Sequence, residues 1–526
     1  MTIKEQRLHE ALQHYYGFRT FRPGQLEIIQ RVLAGRSVLG LLSTGSGKSV
    51  TYQLPAQLLP GITLVVSPLI SLMVDQVQRL RMRGKFSAVY LNSSLEPAET
   101  RRLLSEVEQG RYKLVYISPE KLQQPNIQQL LARRGVSLVA VDEAHCISQW
   151  GHDFRTDYLR LPEIVQKLGN PPVLAVTATA TEEVQREIAR LFHIHQEDIV
   201  SQSLNRGNIA YDIIAVTDEA EKREKIIEAV AKLHGPGIVY CRTRQAVEQF
   251  VATCQLAGLD KVEGYHGGMS AMDRVLIQEQ FLRDELSVIV ATNAFGMGID
   301  KPNIRYVLHY HFPGSIEEYT QEVGRIGRDG QPGYAALYFA IEDLAIHQHL
   351  SQAEYPEPAV IELFVASLRA KTGLKLAYPE IAAGLDLPET QTELLLFYAE
   401  QAGLIARSDR PPYGVQVNSG FPADAANRIG QRIERARQAK RTKLTQMVNW
   451  LQQKGCYRQA LAAYFGSTDD LGYDLYCCSS CGLQRIDYEQ DVSRLTAALP
   501  ETNWNLHEAL RMLLPVELYN RGGHHH

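Results

Sequence analysis

The sequence has no apolar run approaching the ~18 residues that cross a bilayer. Its opening residues, Met1 to Gln6, are polar rather than leader-like, so a cytoplasmic protein is expected. Net positive charge is also missing. Lys and Arg number 55 against 59 Asp and Glu, a formal charge of -4, so any surface for a polyanion must be local. Cysteine is scarce, with seven in 526 residues, which excludes a disulfide scaffold. Cys146, Cys241 and Cys254 are scattered, whereas Cys456, Cys477, Cys478 and Cys481 fall in one short region and suggest a metal site. The closing His524, His525 and His526 read as a purification-tag remnant and carry no metal argument.

What the chain does have is length for several cores, three or four at ~150 residues each, and a repeated alternation. Short β-rich runs at Val38 to Leu42, Thr63 to Val66, Ala88 to Leu91, Leu114 to Ile117, Leu138 to Val141 and Val173 to Val176 are separated by helix-like stretches. The pattern restarts at Ala210 to Val216 and continues at Gly237 to Cys241, Ser287 to Ala291, Tyr306 to Tyr310 and Ala335 to Phe339. Buried strands alternating with amphipathic helices predict two tandem α/β domains with parallel sheets, whose sites lie at the strand C-terminal ends.

The first such end carries Ser43-Thr44-Gly45-Ser46-Gly47-Lys48-Ser49, with a helix predicted from near Val50. Glycines 45 and 47 let backbone N–H groups turn onto phosphate oxygens, Lys48 supplies a point charge, and the Ser49 hydroxyl can hold Mg2+. Leu42 stands where the longer phosphate-loop pattern has its first glycine, which fits a shorter T-G-x-G-K-S form. Asp142-Glu143-Ala144-His145 follows another strand. There Asp142 would contact Mg2+, directly or through water, and Glu143 would orient and deprotonate an attacking water. Two acids at that point could also serve as helix caps; the phosphate loop upstream favours catalysis. Thr177-Ala178-Thr179-Ala180 has hydroxyls able to couple the site to the neighbouring half, and is equally an ordinary cap.

Residues 16 to 330 resemble a superfamily 2 helicase core, and the stretch DEAHCISQWGHDFR from Asp142 to Arg155 resembles the RecQ family of DNA helicases. The resemblance implies that Gln149, Trp150, His152, Phe154 and Arg155 form an aromatic-rich loop that reports single-stranded DNA to the ATP site, with Trp150 and Phe154 stacking on bases. It implies that Phe18 stacks on adenine, Gln25 reads its edge and Arg22 supports the pocket. Phe18 takes the place of the tyrosine usual in the family. Val66 to Leu72 and Ile117 to Glu120 resemble segments that grip the DNA backbone, and each is also an ordinary strand-to-helix turn.

In the second half, Cys241-Arg242-Thr243-Arg244 and Tyr265 to Met269, with His266, resemble nucleic-acid contacts. Ala291 to Pro302, with Thr292, matches the family's bridge between ATP and DNA. Arg325 and Arg328, three apart in QEVGRIGRDG, are expected on one helix face aimed at the cleft, in the arginine-finger role. Between the halves, Leu204-Asn205-Arg206-Gly207-Asn208 resembles the family linker, with Gly207 where proline is usual.

Beyond Ile341 helix signals dominate. Tyr378 to Leu404 reads as helix, turn at Gly384, helix; Ile405 to Ala406 and Val415 to Val417 flank a turn at Asp409 to Pro412, a winged-helix-like pattern, though a plain helical hairpin fits too. Between Arg428 and Arg458 nine basic residues face the single acid Glu434, the best candidate patch for a phosphate backbone. Four thiolates from Cys456, Cys477, Cys478 and Cys481 could close a structural Zn2+ site like that of RecQ proteins. The family's two C-x-x-C steps are reduced to one here, leaving open that Cys477 is a bystander. The wing-like segment precedes the cysteines, the reverse of the usual family order.

The expected organisation is 1–205 first helicase domain, 206–345 second, 346–425 winged-helix-like module, 426–485 zinc-binding subdomain and 486–526 C-terminal segment. The expected activity is ATP- and Mg2+-dependent, 3' to 5' DNA unwinding in recombination and repair, by a monomer acting on single-stranded, forked or 3'-tailed DNA, without a membrane. The competing readings are a superfamily 2 RNA helicase and a non-unwinding DNA-binding scaffold; the latter would need a broken motor, and Lys48, Asp142, Glu143, Arg325 and Arg328 are all present.

Overall fold

The computed structural model describes residues 5–148, 156–202, 205–295, 301–376, 378–381, 385, 387–407 and 414–466, together with 477–489. The aromatic-rich loop (Gln149, Trp150, His152, Phe154, Arg155), Leu204, the segment 296–300, Gly384 and the expected wing turn at 409–412 lie outside these residues. Among the described residues no helix is long and apolar enough to cross a membrane.

The first lobe is built on seven strands: β1 (Val38–Leu41), β2 (Ile62–Val66), β3 (Ala88–Leu91), β4 (Leu114–Ile117), β5 (Val136–Asp142), β6 (Val173–Thr177) and β7 (Ile199–Ser201). They pair in parallel in the order β3-β4-β2-β5-β6-β1-β7. Each run predicted from sequence is a strand; β7, three residues long, carried too short a pattern to be seen. Successive side chains enter opposite faces: Leu39 and Leu41 join one buried cluster, Val38 and Leu42 the other. Helices cover both faces, which is why the strands are apolar throughout rather than alternating.

The second lobe repeats the plan with β8 (Ile209–Ala215), β9 (Gly237–Tyr240), β10 (Val262–Tyr265), β11 (Val288–Ala291), β12 (Tyr306–His309) and β13 (Gly333–Phe339). Their parallel order is β10-β11-β9-β12-β13-β8. Sequence patterning missed β10, whose glycine and glutamate break the apolar run. Gly237 is required by close packing, because a Cβ there would stand 2.0 Å from the Tyr306 ring.

β14 (Lys375–Leu376) comes before helices Tyr378–Ile381 and Glu389–Gln401, and β15 (Ile405–Arg407) and β16 (Val415–Val417) follow them; the three strands form a small antiparallel sheet in the order β14-β16-β15. The 27-residue helix Ala425–Leu451 then serves two cores. Its first half contributes Ala425, Ile429 and Ile433 to the cluster containing Phe364 and Tyr398. Its last turns contribute Met447, Trp450 and Leu451 to the core of the second lobe. Trp450 sits with ring centroids 4.9 Å from Tyr319 and 5.2 Å from Tyr457.

Five of the nine basic residues of the expected patch are paired with acids. Arg428 pairs with Asp424, Arg437 with Glu357 and Glu434, Lys440 with Glu354, Arg441 with Glu434 and Lys443 with Glu317. Counting acids only along the helix missed those supplied by Glu317, Glu354 and Glu357 from elements packed against it. Only Arg435 and Lys454 are exposed without an ion or hydrogen-bond partner among the described residues. Three of these pairs, to Glu317, Glu354 and Glu357, tie the helix to elements packed against it.

Trp450→Ala should cost about 3 to 5 kcal/mol, the usual loss for a buried aromatic. Amide exchange should rise around Leu444 to Leu451 and stay unchanged in β1; equal protection in both proteins would contradict this packing.

Candidate ATP and metal sites

In the first sheet β1 and β5 flank β6, so the loops that follow them leave one edge about 10 Å apart. That places Ser43 to Ser49 beside Asp142 and Glu143. Gly45 and Gly47 have φ of 83° and 79°, the left-handed values that turn the loop, and helix Val50–Leu58 begins after Ser49. Lys48 Nζ stands 3.7 Å from Glu143 Oε1. Asp142, the last residue of β5, is buried; desolvation first, and then the Glu143 charge, push its carboxyl up to about 7, opposed by Lys48. Glu143 takes a left-handed backbone with φ of 48°, rare for a side chain of its kind and concentrated at functional sites. Two carboxylates crowded beside a loop of backbone donors form a site that a divalent cation would relieve, and the oxygens of Ser49 and Asp142 are hard donors suited to Mg2+.

The adenine-side residues take a more specific arrangement than expected. Gln25 Nε2 donates to the carbonyls of Ser46 (2.9 Å) and Gly47 (3.0 Å), while its Oε1 accepts from the Arg22 N–H at 2.9 Å. The amide expected to read adenine is thus also the brace of the phosphate loop. The Arg22 guanidinium donates to the Gly45 carbonyl. Phe18 is half exposed and lies nearly parallel to Tyr16, with centroids 6.3 Å apart. Tyr16, Phe18, Arg22, Gln25, Lys48, Asp142, Glu143 and Arg328 all line one open cleft of about 820 Å3.

The two arginines reach their positions by a different route from the one predicted. Helix Ile316–Val323 ends before them, capped at Gly324, and Arg325 to Gly330 form a turn with Gly327 at φ 52°. They do not share a helix face, because the glycines end the helix. Arg328 lies over the phosphate loop: a Cβ added at Gly45 would stand 3.1 Å from Arg328 Cγ. Arg325 is buried near Tyr240, whose hydroxyl donates to the Phe295 carbonyl at 2.9 Å. Gly324 allows the lobes to touch, since its Cβ would lie 3.1 Å from Thr44 Cβ.

A contact unforeseen in the sequence crosses the cleft at Arg206. Its Nη1 donates to the carbonyls of Thr44 (3.0 Å) and Gly324 (3.2 Å), and its Nη2 to those of Ile326 (2.7 Å) and Gly327 (2.9 Å). Asn208 adds bonds to the carbonyls of Gly327 (2.9 Å) and Gln331 (2.8 Å). The one available signal was that a helix ending in glycines leaves carbonyls that need donors.

Other expected contacts are engaged within the protein. His145 Nδ1 lies 2.8 Å from Thr177 Oγ1, so the Thr177 hydroxyl joins the ends of β5 and β6 within the first lobe. Arg242, expected to face nucleic acid, pairs at 2.5 Å with Glu318, and Thr243 caps its helix by accepting from the Ala246 N–H. His266 lies 3.3 Å from Glu248 and accepts from the Gly268 N–H. Thr292 closes β11, its hydroxyl accepting weakly from the Ala294 N–H at 3.4 Å. Short-range motif reading cannot supply these partners, which come from distant parts of the chain.

The sulfurs of Cys456, Cys477, Cys478 and Cys481 all lie within 4.8 Å of one another, with 3.4 Å between Cys456 and Cys477 and 3.9 Å between Cys456 and Cys478. A tetrahedral Zn2+ with ~2.3 Å bonds needs sulfurs about 3.8 Å apart, so the set fits, Cys477 included. Burial and neighbouring sulfurs push the Cys477 thiol well up and that of Cys481 up to about 11, whereas, against its burial, hydrogen bonds from the Gln459 N–H and neighbouring thiols draw that of Cys456 down. The cluster also covers an exposed sheet edge. The Tyr211 N–H donates to the Cys477 carbonyl at 3.1 Å and the Ile213 N–H to Ser479 Oγ at 3.2 Å, pairing the free side of β8. Stripping metal with a chelator should therefore raise exchange at the Tyr211 and Ile213 amides above that of β9; unchanged protection would separate the thiols from the edge.

Comparison with known proteins follows the same divisions. Residues 22–187 match the DEAD/DEAH box helicase family, 221–330 the helicase conserved C-terminal domain and 422–482 the RecQ zinc-binding family. The probable ATP-dependent DNA helicase RecS of Bacillus subtilis is 38% identical over 502 residues, 95% of this chain and 96% of its own. The ATP-dependent DNA helicase RecQ of the same organism is 42% identical over 358 residues, 66% of this chain but only 60% of its own length. Among solved structures, Mycobacterium smegmatis helicase Lhr (TM-score 0.54, 17% identity, 80% of this chain and 62% of that one) shares the fold. So does Saccharomyces cerevisiae Dbp5 (0.53, 16%, 66% and 91%). With a relative aligned along nearly its whole length, two helicase domains and a RecQ zinc-binding region, the chain belongs to the RecQ family of ATP-dependent DNA helicases.

Proposed function

We propose that the chain couples ATP hydrolysis to 3' to 5' movement along single-stranded DNA and so unwinds duplexes in recombination and repair, as a cytoplasmic monomer. The observation that carries this reading is Arg328 of the second lobe lying over the loop that presents Lys48 from the first. In it, residues 1–205 and 206–345 are the motor lobes, 346–425 and 426–485 the winged-helix-like and zinc-binding modules, and 486–526 a C-terminal segment.

Phe18 stacks on adenine, Arg22 and Gln25 hold the loop at its edge, and Thr44 to Lys48 bind the phosphates through N–H groups and the Lys48 ammonium. Ser49 and Asp142 would hold Mg2+, which neutralises charge on the phosphate oxygens. Glu143, held 3.7 Å from Lys48, accepts the proton of the attacking water. Arg328 stabilises charge growing on the γ-phosphate, and Arg325, buried in the same turn, adds a second positive charge there. Gln149, Trp150, His152, Phe154 and Arg155, with Thr292 and His266, connect bound DNA to this chemistry. Cleft closure with ATP and reopening after hydrolysis then alternate the grip of the lobes on the strand.

The test is unwinding of 3'-tailed, 5'-tailed and blunt duplexes with ATP, beside turnover stimulated by single-stranded DNA or RNA. Unwinding confined to 3'-tailed DNA, DNA-preferring stimulation and loss of turnover in Lys48→Ala are expected. A 5'-tail preference would overturn the polarity, RNA preference the substrate, and an active Lys48→Ala the ATP site.

A further inference from the structure

We propose that Arg206 is a positioning residue for ATP hydrolysis, a clasp that holds the phosphate loop and the Arg328 turn at reacting distance. This rests on the reading of the cleft just given. One guanidinium spans carbonyls on both sides: Thr44 in the first lobe, and Gly324, Ile326 and Gly327 in the second. Arginine suits the task because its planar fork carries several donors in fixed geometry and cannot lose its charge. The bond to Thr44 breaks once the lobes part, so the clasp is complete only when Arg328 stands over the loop.

Arg206 is itself held. Its Nε lies 3.3 Å from Asn208 Oδ1, and Asn208 binds the same turn. Arg458 donates from Nη2 to the carbonyls of Gly207 (3.1 Å) and Ile209 (2.9 Å), on either side of Asn208. Arg458 is buried in the helix Tyr457–Tyr464 that starts after Cys456. The thiolate subdomain thus anchors the segment that carries the clasp.

Because Arg206 acts through Arg328, its loss should appear in turnover rather than in nucleotide affinity. The experiment compares single-turnover and steady-state hydrolysis, with single-stranded DNA, by the zinc-loaded full chain, Arg206→Ala, Arg206→Lys, Arg328→Ala and the Arg206→Ala/Arg328→Ala double variant. Arg206→Ala should lower kcat by about tenfold or more while KM for ATP stays within about threefold, the split expected when an interaction serves only the transition state. Arg206→Lys should fall between, since one ammonium cannot span all the carbonyls. The double variant should be no slower than Arg328→Ala. Additive losses in the double variant, or unchanged kcat in Arg206→Ala, would overturn the proposal. If Arg206→Ala does not fold, the same cycle with Arg206→Lys decides on the same criterion. Lys48→Ala run alongside separates the two readings: continued hydrolysis there condemns the ATP site itself, whereas additivity with an inert Lys48→Ala condemns only the clasp.

Discussion

The cleft holding Lys48, Asp142 and Glu143 is finished by a side chain from the other lobe, and the rest of the molecule is arranged around that constraint. In the proposed mechanism neither lobe alone supplies all the charges that stabilise the phosphoryl transfer. Gly45, Gly324 and Gly327 are the positions where the lobes, or the turn within one of them, come too close for a side chain. Arg206 supplies the donors that this close approach requires.

The C-terminal region supports that arrangement rather than standing apart from it. The helix Ala425–Leu451 places Trp450 in the core of the second lobe, and the cysteine segment closes the edge of β8. Because β8 follows directly from the linker, thiolate cluster, sheet edge and clasp are connected by side-chain hydrogen bonds to one stretch of backbone. A metal site that is structural in its chemistry thereby acquires a say in how the cleft is held.

Much of this was legible in the sequence, and the exceptions share a cause. Strands buried on both faces announce themselves by apolar runs, so nearly every strand of the two large sheets was placed, while three-residue β7 and glycine-interrupted β10 were not. The phosphate loop, Asp142 and Glu143 were readable because their chemistry depends on neighbours in sequence. Arg328 was found for a faulty reason, since a helix face was assumed where Gly324 and Gly327 end the helix. The count of nine bases against one acid on the basic helix left out Glu317, Glu354 and Glu357, which arrive from other elements. Arg206 went unassigned because its partners are backbone carbonyls, which leave no trace in side-chain patterns.

The central claim, that catalysis requires a guanidinium delivered across the cleft, is tested most directly by the single-turnover rate of ATP hydrolysis in Arg328→Ala under saturating DNA. The account predicts a loss of about 10^3-fold or more, the scale of an arginine finger, with ATP affinity nearly unchanged. A rate within a few-fold of the parent protein would contradict it.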